Sequence, residues 1–73
     1  MVMLNQLKSG SYARIVKFEN RQYIREKLYS KGIMEGTIIK IISCFGLIVF
    51  RIDKKIYSID NRIANDIRVI ELL

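Results

Sequence analysis

The stretch Ile24–Ile42, which reads IREKLYSKGIMEGTIIKII, decides the fold of this chain. Apolar residues recur at helical spacing up to Gly32, and β-branched residues dominate after Gly36. The pattern predicts a helix that ends at Gly32 and a strand that begins after Gly36. Glycine suits both positions because it lacks a Cβ and takes a left-handed backbone without a steric penalty. The stretch therefore indicates a helix end packed on a sheet, not a catalytic loop.

The helix is predicted to begin after Asn20, whose side-chain oxygen can accept from the free amides of the first turn. It runs to about Lys31, with Leu28 in its apolar stripe. If Gly32 takes the left-handed conformation, Leu28 and Ile33 become the apolar pair that a Schellman ending brings into contact.

Strands are predicted on both sides of this helix. Ser11–Phe18 alternates in the manner of a strand, with Ala13 and Ile15 on one face and Phe18 on the other. Four further strands are predicted at residues 37–43, 47–52, 55–59 and 67–72.

The connections between these strands are short. Asp53-Lys54 fits a tight hairpin, although it lacks the glycine that such turns prefer. Asp60 is predicted to cap one helical turn around residues 61–65, where Ala64 is small enough to lie against the sheet. About five short strands are too few for a sandwich, so we predict a mostly β fold. Its form is a small closed or nearly closed barrel, with one α-helix after the first strand and a helical turn before the last.

Length and composition bound the class of protein. Seventy-three residues, 51% of them hydrophobic, predict one domain over residues 1–73 with a small core. The single cysteine, Cys44, excludes an intramolecular disulfide and favours a reducing compartment, and we expect its thiol to be inert. No signal peptide is recognised, and no run approaches the ~20 apolar residues of a membrane-spanning helix. A soluble, cytoplasmic protein is expected.

The net charge of +6 can attract nucleic acid, an anionic membrane or an acidic protein. The thirteen lysines and arginines are scattered, however, and no four of them are consecutive. A solvated basic surface is therefore favoured over a dedicated polyanion site.

The residues give little support to catalysis or metal binding. Histidine, the commonest general base and transition-metal ligand, is absent, and one cysteine cannot form a thiolate cluster. One turn could bring together only Asp60 and Asp66, and a helix cap beside a surface acid is the favoured interpretation. We expect no catalytic residue, no cofactor and no direct iron site, because the ligand set is too poor.

Two kinds of binding stay open. Small barrels bind nucleic acid through aromatic side chains interleaved with basic ones, but most of the seven aromatic residues here are predicted to serve the core. The other possibility is docking on a protein. Met34 lies in an exposed connection and, with Tyr29 or Tyr23, would form an apolar patch rimmed by Arg25 and Lys31.

The order of the packing residues carries a resemblance to a known family. Its elements are Leu4-x-x-Leu7-x-x-Gly10, Ala13-Arg14-Ile15-Val16, Arg25-x-x-Leu28-x-x-x-Gly32-Ile33-x-x-Gly36, Tyr57-Ser58-Ile59 and Ala64-x-x-Ile67-x-Val69. Together they resemble the FeoA family, the small cytosolic proteins that accompany the membrane GTPase of bacterial ferrous iron uptake. Glu35 stands where the family often has proline, and Lys54 where glycine is usual.

The resemblance implies an SH3-like barrel and a non-enzymatic accessory or regulatory role in ferrous iron uptake. The implied partner is the cytosolic part of the membrane GTPase iron transporter. The residues expected to meet it are Arg25, Tyr29, Lys31 and Met34, and the structural signature is Gly10, Leu28, Gly32, Ile33, Gly36 and Ala64. The alternative function is that of a small-barrel nucleic-acid-binding protein. A homo-oligomer is a further possibility, since the strand at 37–43 is apolar on both faces.

Overall fold

Six antiparallel strands form one sheet in the computed structural model, which describes all residues from 1 to 73. The strands are β1 (Val2–Met3), β2 (Tyr12–Phe18), β3 (Ile38–Ser43), β4 (Ile48–Ile52), β5 (Lys55–Ile59) and β6 (Ile67–Leu72). The helices are α1 (Gln22–Ser30), the single turn α2 (Asn61–Ala64) and a 3₁₀ turn over Leu4–Gln6. The mostly β fold with an inserted helix is confirmed.

The sheet has the strand order β1-β6-β2-β3-β4-β5. It contains one strand more than the predicted five, because Val2 and Met3 pair with Val69 and Arg68 of β6. The hydrogen-bonded ladder does not close, so β1 and β5 each keep a free edge. The sequence allowed either a closed or a nearly closed barrel. The open ladder excludes the closed form.

One cluster of fifteen buried apolar side chains fills the inner side of the sheet. Every strand except β1 contributes to it, and so do both helices and the 3₁₀ turn. Its members are Leu4, Leu7, Ala13, Ile15, Phe18, Leu28, Ile33, Ile39, Ile41, Ile48, Phe50, Ile59, Ala64, Ile67 and Val69.

The end of α1 has the predicted Schellman geometry. Gly32 has φ +85°, its amide donates to the Tyr29 carbonyl at 2.9 Å, and the Ile33 amide donates to the Leu28 carbonyl at 3.0 Å. Leu28 and Ile33 are both buried, so the apolar pair anchors the helix end in the core.

The second glycine of the stretch holds the next turn onto β2. Gly36 has φ +87°, and its amide donates to the Ile15 carbonyl at 2.8 Å. The Ile15 amide in turn donates to the Thr37 carbonyl at 2.9 Å. Two hydrogen bonds thus join the turn to the middle of the sheet before β3 begins.

The prediction for Asn20 is wrong. Arg21 occupies the N-cap position of α1, and no side chain caps the helix there. Asn20 is instead 2% exposed, and its Nδ2 donates to the Ile63 carbonyl at 3.1 Å. The side chain thus joins the start of α1 to α2. Local sequence does not predict this contact, because the two segments meet only in the folded chain.

The predicted face of Phe18 is also wrong. The register between β2 and β6 shifts between Ile15 and Lys17, which marks a β-bulge. The extra residue reverses the alternation, so Phe18 joins Ala13 and Ile15 in the core while Lys17 is exposed.

The predicted hairpin and helix cap are confirmed. Ile52 pairs with Lys55, and Asp53 takes a left-handed φ of 52° in place of the missing glycine. Asp60 Oδ1 accepts from the Ile63 amide at 2.8 Å, and Ala64 is fully buried beside the sheet.

Candidate partner-binding surface

Tyr29 links α1, the sheet and the turn between the two glycines. Its ring meets Phe18 edge to face, with 5.6 Å between ring centroids. Its hydroxyl donates to the Glu35 carboxylate at 2.8 Å. The hydrogen bond therefore constrains the turn by joining it to α1.

The same contact raises the pKa of Tyr29. The hydrogen bond to Glu35 is the largest cause, because ionisation would remove the donated proton and set a phenolate against a carboxylate. Desolvation and the charge of Glu35 raise the pKa further, whereas the nearby cation of Arg25 lowers it. Arg25 therefore lies within electrostatic reach of the Tyr29 hydroxyl.

Arg25 and Met34 complete this neighbourhood. The Arg25 guanidinium donates to the Asn20 carbonyl at 2.5 Å, so part of the side chain holds the start of its own helix. Met34 is 44% exposed in the turn, as predicted. We name the surface formed by Arg25, Tyr29, Met34 and Glu35 the Tyr29 patch.

Lys31, the fourth predicted residue, borders a groove beside β5. Its carbonyl accepts from the Tyr57 hydroxyl at 2.9 Å. It lines two depressions, of about 640 and 670 Å³, whose other lining residues include neither Met34 nor Arg25. Lys31 therefore lines a groove to which the other three predicted residues do not contribute.

The two depressions follow β5 and share Lys31, and we name them together the hairpin groove. Tyr23, which the sequence offered as a neighbour of Met34, is 60% exposed and also lines the groove. The apolar side chains of the groove next to α1 and α2 are Ile24, Leu28, Ile59 and Ile63. Its cationic side chains are Lys27, Lys31, Lys54, Lys55 and Arg62.

Sequence reasoning missed most of this cationic group. Its members come from α1, the β4–β5 hairpin and α2, and only folding brings them together. The signals that could have found them are Lys27 and Lys31 at i, i+4 on one helix face and the pair Lys54-Lys55 at the hairpin.

The prediction that most aromatic residues serve the core is wrong. Phe18 and Phe50 are buried, and the half-buried Tyr57 stacks on Phe50 with 5.7 Å between ring centroids. The other four are exposed, because they lie on the outer face of the sheet, on α1 or in the loop before β4. They are Tyr12, Tyr23, Tyr29 and Phe45.

The outer face of the sheet combines apolar and basic side chains. Ile38 and Ile42 are 48% and 40% exposed, which confirms that β3 is apolar on both faces. Lys40 Nζ lies 5.4 Å from the centroid of the Tyr12 ring. Elsewhere on the surface Arg68 binds Glu19, and this hydrogen bond lowers the pKa of Glu19 and raises that of Arg68.

Cys44 is half-buried, and its thiol donates to the Leu7 carbonyl at 3.3 Å. Burial raises its pKa, which keeps the thiol protonated and less nucleophilic. No three histidine, cysteine or carboxylate side chains lie close enough together to hold a metal ion. Neither helix has the length and apolar character needed to cross a membrane.

Fold and surfaces together define a small antiparallel β domain with an inserted, Schellman-terminated helix and exposed apolar and basic surfaces. A family model, the FeoA domain, matches residues 2–71. The chain belongs to the FeoA family, as its packing residues predicted, and this membership points to a role in ferrous iron uptake.

Solved structures of FeoA proteins have the same fold. The crystal structure of an iron uptake regulatory protein (FeoA) superposes with a TM-score of 0.88 at 24% identity, covering 97% of this chain and 96% of the other. A FeoA-like protein from Clostridium acetobutylicum gives 0.85 at 27% identity, with 99% and 87% covered. The FeoA protein from Chlorobium tepidum gives 0.86 at 20% identity, with 93% and 68% covered. No curated protein sequence matches the chain.

Proposed function

We propose that this chain is a non-enzymatic accessory protein of ferrous iron uptake, which docks in the cytoplasm on the cytosolic part of the membrane GTPase transporter. The observation that carries the assignment to iron uptake is the match of the FeoA domain over residues 2–71. One of the similar structures is described as an iron uptake regulatory protein, which supports a regulatory role.

The Tyr29 patch supports docking on a protein. Met34 presents an apolar side chain in a turn that the Tyr29–Glu35 hydrogen bond and the Gly36–Ile15 hydrogen bond both hold in place. Because the backbone of this turn is already held, binding costs little backbone entropy, and an exposed apolar side chain in the turn suits the centre of a small interface. The net charge of +6 favours an acidic partner and speeds the encounter with it.

Binding to the purified cytosolic GTPase domain tests this function. We expect the unmodified protein to bind, and Met34→Asp and Arg25→Glu to weaken binding about tenfold or more, as loss of a central interface residue does. Phe45→Asp is the matched control for Met34→Asp, because Phe45 is 90% exposed in a different loop. Lys8→Glu, at another exposed position, controls for the change of charge.

Absence of binding by the unmodified protein would refute the proposed function. Normal binding by both patch variants would leave the partner in place and remove the Tyr29 patch from the interface.

A nucleic-acid-binding function is the second candidate, and the outer face of the sheet favours it. Tyr12, Lys40 and Arg51 line one shallow depression there, with Lys40 on the strand between the other two residues. A single-stranded RNA oligonucleotide distinguishes the two functions: a nucleic-acid binder shows an affinity that falls steeply with salt, and a docking module shows little affinity at any salt concentration.

A further inference from the structure

Strand β5 is a free edge of the sheet beside a basic groove. It is the last strand in the order, so its outer side has no neighbour. The pair Ile52 and Lys55 closes a two-residue hairpin and is a hydrogen-bonded pair, after which bonded and non-bonded pairs alternate. The amides and carbonyls of Ile56 and Ser58 therefore point away from β4. Neither residue makes a backbone hydrogen bond to a group outside the helices and strands.

The hairpin groove runs along this edge and has the chemistry of a binding site for a chain. Its floor is apolar, with Leu28 and Ile59 buried and Ile24 and Ile63 half-buried. Five cationic side chains line the groove, compared with only two carboxylates, those of Asp53 and Asp60. Asp60 is already engaged with the Ile63 amide as a helix cap. The groove thus offers main-chain hydrogen-bonding groups, an apolar floor and an excess of positive charge side by side.

We propose that an acidic, extended segment of a protein partner adds to β5 as a seventh strand. Its main chain pairs with Ile56 and Ser58, its carboxylates meet the lysines and Arg62, and an apolar side chain rests on the floor. Strand addition obtains affinity from main-chain hydrogen bonds and specificity from alternate side chains. The inference rests on the proposed docking function and names the chemistry of the segment that docks.

The charges of the groove favour an acidic segment over a second copy of this chain. Pairing of two β5 strands would bring together two chains of net charge +6, each with the same excess of cations over carboxylates along the groove. Lysines at a sheet edge oppose such self-pairing. The same lysines attract a strand that carries glutamate or aspartate.

An isotope-labelled sample of the whole chain, titrated with a synthetic peptide, tests the inference without the transporter. The probe is an eight-residue peptide of alternating glutamate and valine, and the control is the same peptide with lysine for glutamate. We expect the Ile56 and Ser58 amide signals to shift with the glutamate peptide only. No shift of these amides at millimolar peptide, or equal shifts with both peptides, would overturn the inference.

Two pairs of variants separate strand addition from charge. Ile56→Pro deletes an outward amide, a change that edge strands tolerate, whereas Ile56→Thr keeps the amide and alters only the side chain. Lys31→Glu/Arg62→Glu reverses the groove charge, and Lys8→Glu/Arg14→Glu makes the same change of net charge at exposed positions outside the groove. We expect the first member of each pair to weaken binding of the glutamate peptide about tenfold or more, and the second to change it by less than about threefold.

The cytosolic GTPase domain, titrated against the same variants, distinguishes failure of this inference from failure of the proposed function. Undiminished domain binding by both groove variants refutes the inference and leaves docking intact. No domain binding, with the glutamate peptide still shifting Ile56 and Ser58, refutes the proposed function and supports the groove. Larger shifts of these amides with a single-stranded oligouridylate than with the peptide would also overturn the acidic-segment inference.

Discussion

Glu35 shows how one substitution within a family pattern acquires a structural role. A proline before Gly36 would stiffen the turn through its ring. The carboxylate of Glu35 instead accepts a hydrogen bond from the Tyr29 hydroxyl, and this hydrogen bond joins the turn to α1. The exposed Met34 precedes Glu35 in the same turn.

The Tyr29 hydroxyl is predicted to ionise at a higher pH than an ordinary tyrosine, because the hydrogen bond to Glu35 raises its pKa. A group whose pKa is raised on folding contributes stability below its unfolded value of about 10 and loses it as pH rises through the folded value. Glu35→Gln removes the carboxylate and should lower the pKa of Tyr29.

Ultraviolet-monitored titration measures this pKa, and Tyr29→Phe assigns the signal. Glu26→Gln is the control, since Glu26 accepts only from Gln22 on the exposed side of α1. A Tyr29 pKa that is the same in the Glu35→Gln variant and the unmodified protein would contradict the hydrogen bond.

At the scale of elements, the local sequence predicts the C-terminal end of α1 but not its N-terminal end. The C-terminal end follows from one residue that can take φ +85° and two apolar residues at fixed spacing. The N-terminal end does not follow from Asn20, because a buried partner on α2 competes for the side chain that a cap would use. The bulge in β2 could not be predicted from the local sequence either, because it depends on pairing with β6, about fifty residues away.

Replacement of Gly32 should destabilise the protein through the backbone alone. No atom lies within 4 Å of the position a Cβ would take, so Gly32→Ala introduces strain and no clash. We expect it to lower the free energy of unfolding by about 1–2 kcal/mol, the penalty of the left-handed region for a residue with a Cβ. Gly32→Asn should cost less, because asparagine enters that region more readily.

Urea unfolding of both variants measures these losses. Equal stability of Gly32→Ala and the unmodified protein would show that the left-handed ending of α1 is not required. A greater loss for asparagine than for alanine would exclude backbone strain as the cause.

At the scale of the whole molecule, long-range contacts hold together segments that are remote in sequence. Asn20 and Ile63 are 43 positions apart, yet one side-chain hydrogen bond joins them. The same folding brings α1, the β4–β5 hairpin and α2 around one groove. Stability and the candidate binding surface therefore depend on the same packing of α1 and α2 against the sheet.

Asn20→Ala should lower the free energy of unfolding by about 0.5–1.5 kcal/mol, the net contribution of one hydrogen bond, because the Ile63 carbonyl loses the Asn20 donor and keeps only the Asp66 amide. In a domain of this size each kcal/mol corresponds to about 4–8 °C in Tm. Calorimetry measures the loss, and Gln22→Ala on the exposed surface of α1 should leave Tm nearly unchanged. A Tm unaffected by Asn20→Ala would show that the tie between α1 and α2 contributes nothing.

The sequence by itself determined the class of fold, the helix end at Gly32, the hairpin at Asp53-Lys54 and the Asp60 cap. These features depend on spacing and backbone preference within a few residues. Only the tertiary structure decided the free edge at β5, the bulge that buries Phe18, the role of Asn20 and the groove that Lys31 lines. Each of these depends on which distant segments meet, and pairing between remote strands and helices is fixed by the packing of the whole core.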